Sequence, residues 1–221
     1  MRHAITMASF LAVTYTATSV GAAVVPFTED FDTDSANWFN AAVTGPVDWV
    51  STGSIDGGAY VTTGFNFQFS NPGDNPPLFR GHDSFDSSGD AFVGNWIADG
   101  VTAFSFTVRH NAPEPVPFFA RFAPNSAPGA NAVAFAPVQP NVWTTITVPI
   151  NPAAFFIFEG TTFESTFSSI GRVQIGMNVP DGLAGLDQLI TFDLDKPTIV
   201  PAPGVAGLFG LAGLAGLRRR R

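Results

Sequence analysis

Acidic side chains crowd two short stretches of this 221-residue chain. Asp30, Asp32 and Asp34 stand at alternate positions in EDFDTDSANW, and Asp193 and Asp195 do the same in TFDLDK. Carboxylates are the ligands that a hard cation such as calcium takes. The first stretch begins like an EF-hand loop and then departs from it. Ser35 stands where the turn glycine belongs and Ala41 where the bidentate glutamate belongs, which excludes that loop. A different calcium site stays open, with Asp30 and Asp32 of an early strand meeting Asp193 and Asp195 of a late one. In extended chain each of these pairs shares a face, whereas Glu29 points the other way. The competing reading makes them solvated carboxylates that discourage edge-to-edge sheet pairing.

Aromatic rings are the second resource. Trp38, Trp49, Tyr60 and Trp96 are the candidates for platforms on which a sugar ring stacks, with core packing as the alternative for each tryptophan. Most of the 23 phenylalanines fall at strand spacing and read as core.

Catalytic patterns are missing from the sequence. There is no cysteine, no Gly-x-Ser-x-Gly, no His-Glu-x-x-His and no phosphate-cradling glycine loop. Beyond the N-terminal segment the histidines are His82, beside Asp83, and His110, beside Arg109. A two-carboxylate glycosidase would have eighteen acids to draw on, but no local pattern selects a pair. The expectation is a non-catalytic protein, with a glycan-active enzyme as the lesser alternative.

Charge narrows the partners. Arg2 and Arg218 to Arg221 lie in the terminal segments, leaving Arg80, Arg109, Arg121, Arg172 and Lys196 against all eighteen acids, a formal charge of −13. Such a domain has no basic stripe to neutralise phosphates, which argues against nucleic acid. Without cysteine, its stability rests on packing and on any bound cation.

The elements that must position these residues are strands. Thr102 to His110 alternates Phe104, Phe106 and Val108 with Ser105, Thr107 and Arg109. Trp143 to Ile150 and Gly171 to Val179 alternate likewise, the latter setting Val173, Ile175 and Met177 against Arg172, Gln174 and Asn178. Shorter Phe/Val/Thr-rich runs fall at 25–31, 47–51, 59–63, 65–69, 91–96, 116–122, 132–135 and 189–195. Asn71 to Pro77 reads as an exposed turn, 123–140 as a long loop around one of those runs, and Thr161 to Ser169 as a helical turn. Some ten strands at this spacing predict an all-β fold, a β-sandwich of jelly-roll type, over residues 24–197.

The termini read as addresses. Residues 1–23 combine Arg2, an apolar stretch and a small-residue end, the pattern of a signal peptide cleaved before Val24. Residues 198–221 hold Val200-Pro201-Ala202-Pro203, then the apolar run Val205 to Leu217 and then Arg218, Arg219, Arg220 and Arg221. Thirteen apolar or small residues are short for a spanning helix, and glycine recurs every third position. The arginines would hold that end in the cytoplasm and place the domain outside. This three-part tail resembles the bacterial PEP-CTERM sorting signal, with Ala202 where that family usually has glutamate. The resemblance implies transient membrane anchoring through the C-terminal hydrophobic helix. It also implies processing by an exosortase and delivery to the cell envelope or extracellular matrix. A plain C-terminal anchor is the alternative.

A second resemblance concerns the domain. Phe27-Thr28-Glu29-Asp30-Phe31-Asp32 followed by Trp38, and a last strand ending in TFDLDK, look like the galactose-binding-like jelly rolls that include many carbohydrate-binding modules. It implies a calcium shared by the first and last strands, and glycans as partners. The sequence therefore predicts an exported, envelope- or matrix-associated non-catalytic β-sandwich with a structural, adhesive or binding role. A calcium-stabilised carbohydrate-binding module is the alternative.

Overall fold

The computed structural model describes residues 22–125 and 128–202. The expected signal peptide up to Gly21, and the tail from Pro203 through Arg218, Arg219, Arg220 and Arg221, lie outside the described residues.

Eleven strands run in the order β1 (Phe27–Thr28), β2 (Asp48–Val50), β3 (Tyr60–Asn66), β4 (Pro77–His82), β5 (Val101–His110), β6 (Val116–Pro124), β7 (Asn131–Val138), β8 (Thr144–Pro149), β9 (Ile157–Phe158), β10 (Ile170–Met177) and β11 (Leu189–Pro201). They form two antiparallel sheets. One has the order β2-β3-β11-β5-β8, with β1 also on β11; the other has the order β4-β10-β6-β7-β9. The fold is an all-β sandwich, and the one α-helix among the described residues, α1 (Phe163–Phe167), is capped by the Thr162 hydroxyl, which accepts from the Ser165 N–H.

Alternation decides what lies between the sheets. Phe104, Phe106 and Val108 of β5 and Phe192 and Leu194 of β11 are fully buried, facing Phe118 and Phe122 of β6 and Val173, Ile175 and Met177 of β10. The rings meet mainly edge-on or tilted. Trp96 stands 5.5 Å from Phe122 and 5.9 Å from Phe167, contacts worth about 0.5–1.5 kcal/mol each beyond burial.

Several expectations are corrected. Residues 91–96 form no strand; a bridge between Gly94 and Ile170 and the buried Trp96 fix them as irregular chain. The turn expected to end at Pro77 gives way there to edge strand β4, where a proline costs no inner ladder bond. The strand expected at 132–135 is present and longer, as β7 held between β6 and β9, which cuts back the long loop expected over 123–140. Residues 198–201, assigned above to the tail, continue β11: Thr198 to Pro201 pair with Ser105 to Val101, and Ile199 is fully buried.

Candidate functional site

The outer face of the five-stranded sheet carries one continuous row of residues. Arg80 of β4 is opposite Gln174 of β10, Gln174 is opposite Arg121 of β6, Arg121 is opposite Ala132 of β7, and Ala132 is opposite Ile157 of β9. Period-two alternation puts them on this side because Phe79, Val173, Ile175 and Phe122 take the inner one. Beside this row, Phe119 of β6 lies between Gly176 and Ala134. Gly176 leaves no side chain in the way of its ring, which packs down on the sheet with 5% of the residue exposed and so gives the groove a narrow apolar strip.

Two connected hollows open above these residues. One of about 320 Å³ is lined by Asn75, Pro77, Arg80, Phe119, Arg121 and Gln174. The other, of about 200 Å³, shares Asn75, Phe119 and Arg121 and reaches Ala132, Ile157 and Glu159. Together they make a groove across the strands. Arg121 is fixed within it: its Nε donates to Glu159 Oε1 at 2.9 Å, its Nη2 to Oε2 at 2.5 Å, and its Nη1 to Gln174 Oε1 at 2.7 Å. The guanidinium holds the Glu159 carboxyl below the usual carboxylate range. Burial and the charge of Arg121 both lower the proton affinity of Arg80, whose Nε is buried without a hydrogen-bond partner.

The sequence reading missed this face. It placed Arg172 and Gln174 on a solvated side of their strand but gave Arg80 to no strand, and pairing across strands cannot be read from one strand's periodicity.

A second polar surface lies on the six-stranded sheet. Arg109 of β5 is directly opposite Asp193 of β11, with Nε donating to Oδ2 at 2.7 Å. Its guanidinium carbon sits 4.4 Å from the Trp143 ring and 5.3 Å from that of Tyr60, and the two rings are edge-on at 5.4 Å. Tyr60, Arg109 and Asp193 help line an open hollow of about 420 Å³. Tyr60 was a candidate platform; Trp143 was read only as the start of a strand.

The other tryptophans fall differently. Trp38 and Trp96 are fully buried, their indole N–H groups donating to Ser88 Oγ and to the Phe92 carbonyl, so neither offers a face to a ligand. That corrects both as platforms. Trp49 is 40% exposed, but it lies on the other sheet from the groove, with its N–H donating to the Phe31 carbonyl.

The four carboxylates expected around calcium do not gather as one set. Asp193 is taken by Arg109, and Asp32 is exposed in a bend. The strand-face argument fails for Asp30 and Asp32 because β1 ends at Thr28 and Phe31 has φ +52°, which reverses the chain. Among the described residues no three histidines, cysteines or acids converge as metal ligands. What does converge is a Lys196 cluster. Its ammonium is 2.5 Å from Asp56 Oδ2 and 3.6 Å from Asp30 Oδ1. Asp195, next in the chain, is fully buried, with the Ile55 N–H and the Ser54 hydroxyl nearby but no hydrogen bond of good geometry to either carboxylate oxygen. Burial pushes its carboxyl up to about 6 although Lys196 pulls the other way. The buried Asp195 carboxylate, with Asp56 near it, comes nearest to a cation site in this region, and the Lys196 ammonium already sits beside it.

The histidines are accounted for locally. His110 is buried, with Nε2 donating to the Val138 carbonyl and Nδ1 accepting from the Ala112 N–H, which sets the neutral tautomer. His82 Nδ1 accepts from the Ser84 N–H beside Asp83.

No family model matches this sequence, and no curated protein matches it. Among solved structures the chain is similar to an exo-β-agarase, with a TM-score of 0.55 and 9% identity over 82% of this chain and 26% of that one. It is also similar to N-terminal modules of a Clostridium thermocellum endo-1,4-β-D-xylanase complexed with xylohexaose, at 0.47 and 16% over 81% and 28%. A family 11 carbohydrate-binding module from the same organism, in complex with a β-1,3-1,4-mixed-linked tetrasaccharide, gives 0.47 and 14% over 82% and 98%. The chain thus spans about a quarter of the length of the two enzymes, and the likeness is one of fold.

Proposed function

We propose that this chain is an exported, non-catalytic carbohydrate-binding β-sandwich that lays a glycan along the outer face of its five-stranded sheet. The observation that carries this reading is the groove itself. It joins a narrow apolar strip at Phe119 to hydrogen-bonding side chains at Arg80, Gln174 and Arg121 in register across adjacent strands. Sugars present both kinds of surface, C–H faces and hydroxyl edges, and a site for them combines aromatic or apolar contact with fixed polar groups. The non-catalytic part of the reading is supported by the lack of catalytic motifs in the sequence.

Display outside the cell is the second part of the proposal, with residues 1–23 directing export and the Pro201-Ala202-Pro203 tail directing sorting through an exosortase. A structural calcium at Asp195, reached by Asp30 and Asp56 if the Lys196 ammonium moves aside, is the third.

Affinity electrophoresis through polysaccharide gels tests the binding reading, with xylan, mixed-linked glucan and agarose as first ligands. Retardation that is lost in Phe119→Ala while reducing ends stay constant is the expected result. Free migration through every gel, charged or neutral, would remove the reading.

A further inference from the structure

Five fixed cations serve a domain with eighteen acids, and three of the five share one face. Arg80 on β4, Arg172 on β10 and Arg121 on β6 stand on three adjacent strands, on the outer side of the five-stranded sheet. Glu159 pairs with Arg121, and Asp83, Asp86 and Asp90 gather beside the neutral His82 at the end of β4. The cationic part of this face is thus the pair Arg80 and Arg121 on either side of Gln174.

Its hydrogen-bonding capacity is also one-sided. The Gln174 carbonyl oxygen and both oxygens of Glu159 are already taken by Arg121. Guanidinium groups only donate. Arg80 and Arg121 flank Gln174 in one row, two strands apart, and the buried Nε of Arg80 has no acceptor. Like charges held this close disfavour the folded state unless an oxyanion in the groove offsets them.

We propose that the groove takes an anionic glycan, whose sugar rings lie on Phe119 while a carboxylate or sulfate group is held between Arg80 and Arg121. This rests on the glycan-binding reading above and names the class of glycan. The guanidinium fork matches planar and tetrahedral oxyanions alike. The acidic surface elsewhere repels a polyanion, so that the chain is accepted on this face alone and its orientation is fixed by the rest of the domain.

The test runs the full chain, in mild detergent, through gels containing polygalacturonate, carrageenan, or the neutral xylan and agarose. Retardation by a charged gel is expected to weaken about tenfold between about 50 mM and about 500 mM NaCl. Arg80→Gln is expected to lose a similar factor and Arg80→Lys, which keeps the charge, to lose less; thermal melts confirm that both fold. Stronger retardation by polygalacturonate assigns the carboxylate, and by carrageenan the sulfate. Retardation by neutral gels only overturns this inference and leaves the binding reading standing. Salt-independent retardation, or equal losses in Gln and Lys variants, also overturns it. Free migration in all four gels removes both.

Discussion

The ring of Phe119 lies across Gly176 on the neighbouring strand, so near that a β-carbon at 176 would sit 2.3 Å from its Cζ and 2.4 Å from the Pro76 carbonyl oxygen. Backbone cannot give way there as a flexible side chain would. Gly176→Ala is expected to cost about 1–3 kcal/mol by overpacking and to tilt Phe119 off the sheet. Denaturant unfolding and glycan affinity should fall together; a variant that binds normally would show that the ring is not part of the strip.

Glu159 competes with any bound anion for Arg121. The pair is partly exposed, so Glu159→Gln should change stability by no more than about 1 kcal/mol. Affinity for a charged glycan should rise at the same time, because the Arg121 fork is released. Calorimetric titration of both proteins checks this, and weaker binding by the variant would contradict it.

Asp195 makes the domain sensitive to pH in an unusual direction. Its carboxyl is pushed up to about 6 in the fold, above the unfolded value of about 3.9. The folded state therefore holds the proton more tightly, and this contribution is full below about pH 4 and lost as pH rises through about 6. Asp195→Asn is expected to stabilise the calcium-free protein at pH 8 by about 2 kcal/mol and to flatten the Tm profile between those limits. Calcium should raise the Tm of the unaltered protein and leave that of the variant unmoved. A Tm insensitive to calcium, chelator and pH would end the proposal of a cation at this carboxylate.

Tyr60 and Arg109 belong to the opposite sheet, and Trp143, just before β8, packs against both. Trp143→Ala should leave retardation in polysaccharide gels unchanged while costing about 1–2 kcal/mol in stability through the lost ring contacts. Loss of binding in this variant alone would move the site to that sheet.

Ala23 is 9% exposed and donates its backbone N–H to Asp99 Oδ2 at 2.9 Å, whereas Ala22 is exposed. Cleavage one residue earlier than expected, between Ala22 and Ala23, would replace that N–H by an ammonium beside the same carboxylate. If the chain is exported as proposed, intact-mass measurement of protein recovered from the culture medium should find Ala23 first. A chain beginning at Val24 would show that this hydrogen bond is dispensable.

Strands with one buried and one wet face were the legible part of the sequence. Thr102 to His110 and Gly171 to Val179 follow period two so closely that their inner residues, Phe104, Phe106, Val173 and Ile175, are all core. Pro77 hid β4, because a proline at a strand's first residue looks like punctuation. The two-residue strand β9 carries too few residues for any period. The groove could not be read for a related reason: Arg80, Arg121 and Glu159 are 38 or more positions apart and meet only through pairing with Gln174 and with each other. Asp30 and Asp32 failed in the opposite way, since a regular spacing in sequence is undone by one left-handed residue, Phe31.

β11 lies at the middle of its sheet, with β3 and β1 on one side and β5 on the other, and it runs out through Pro201 toward the tail. Its ladder bonds lie across the strand axis. A pull on the chain beyond Pro201 is thus directed along β11 and shears many bonds at once, where the same pull on an edge strand would peel them one after another. Anchored by that end, the domain would resist drag from flowing liquid or from a bound polymer through its most heavily bonded strand.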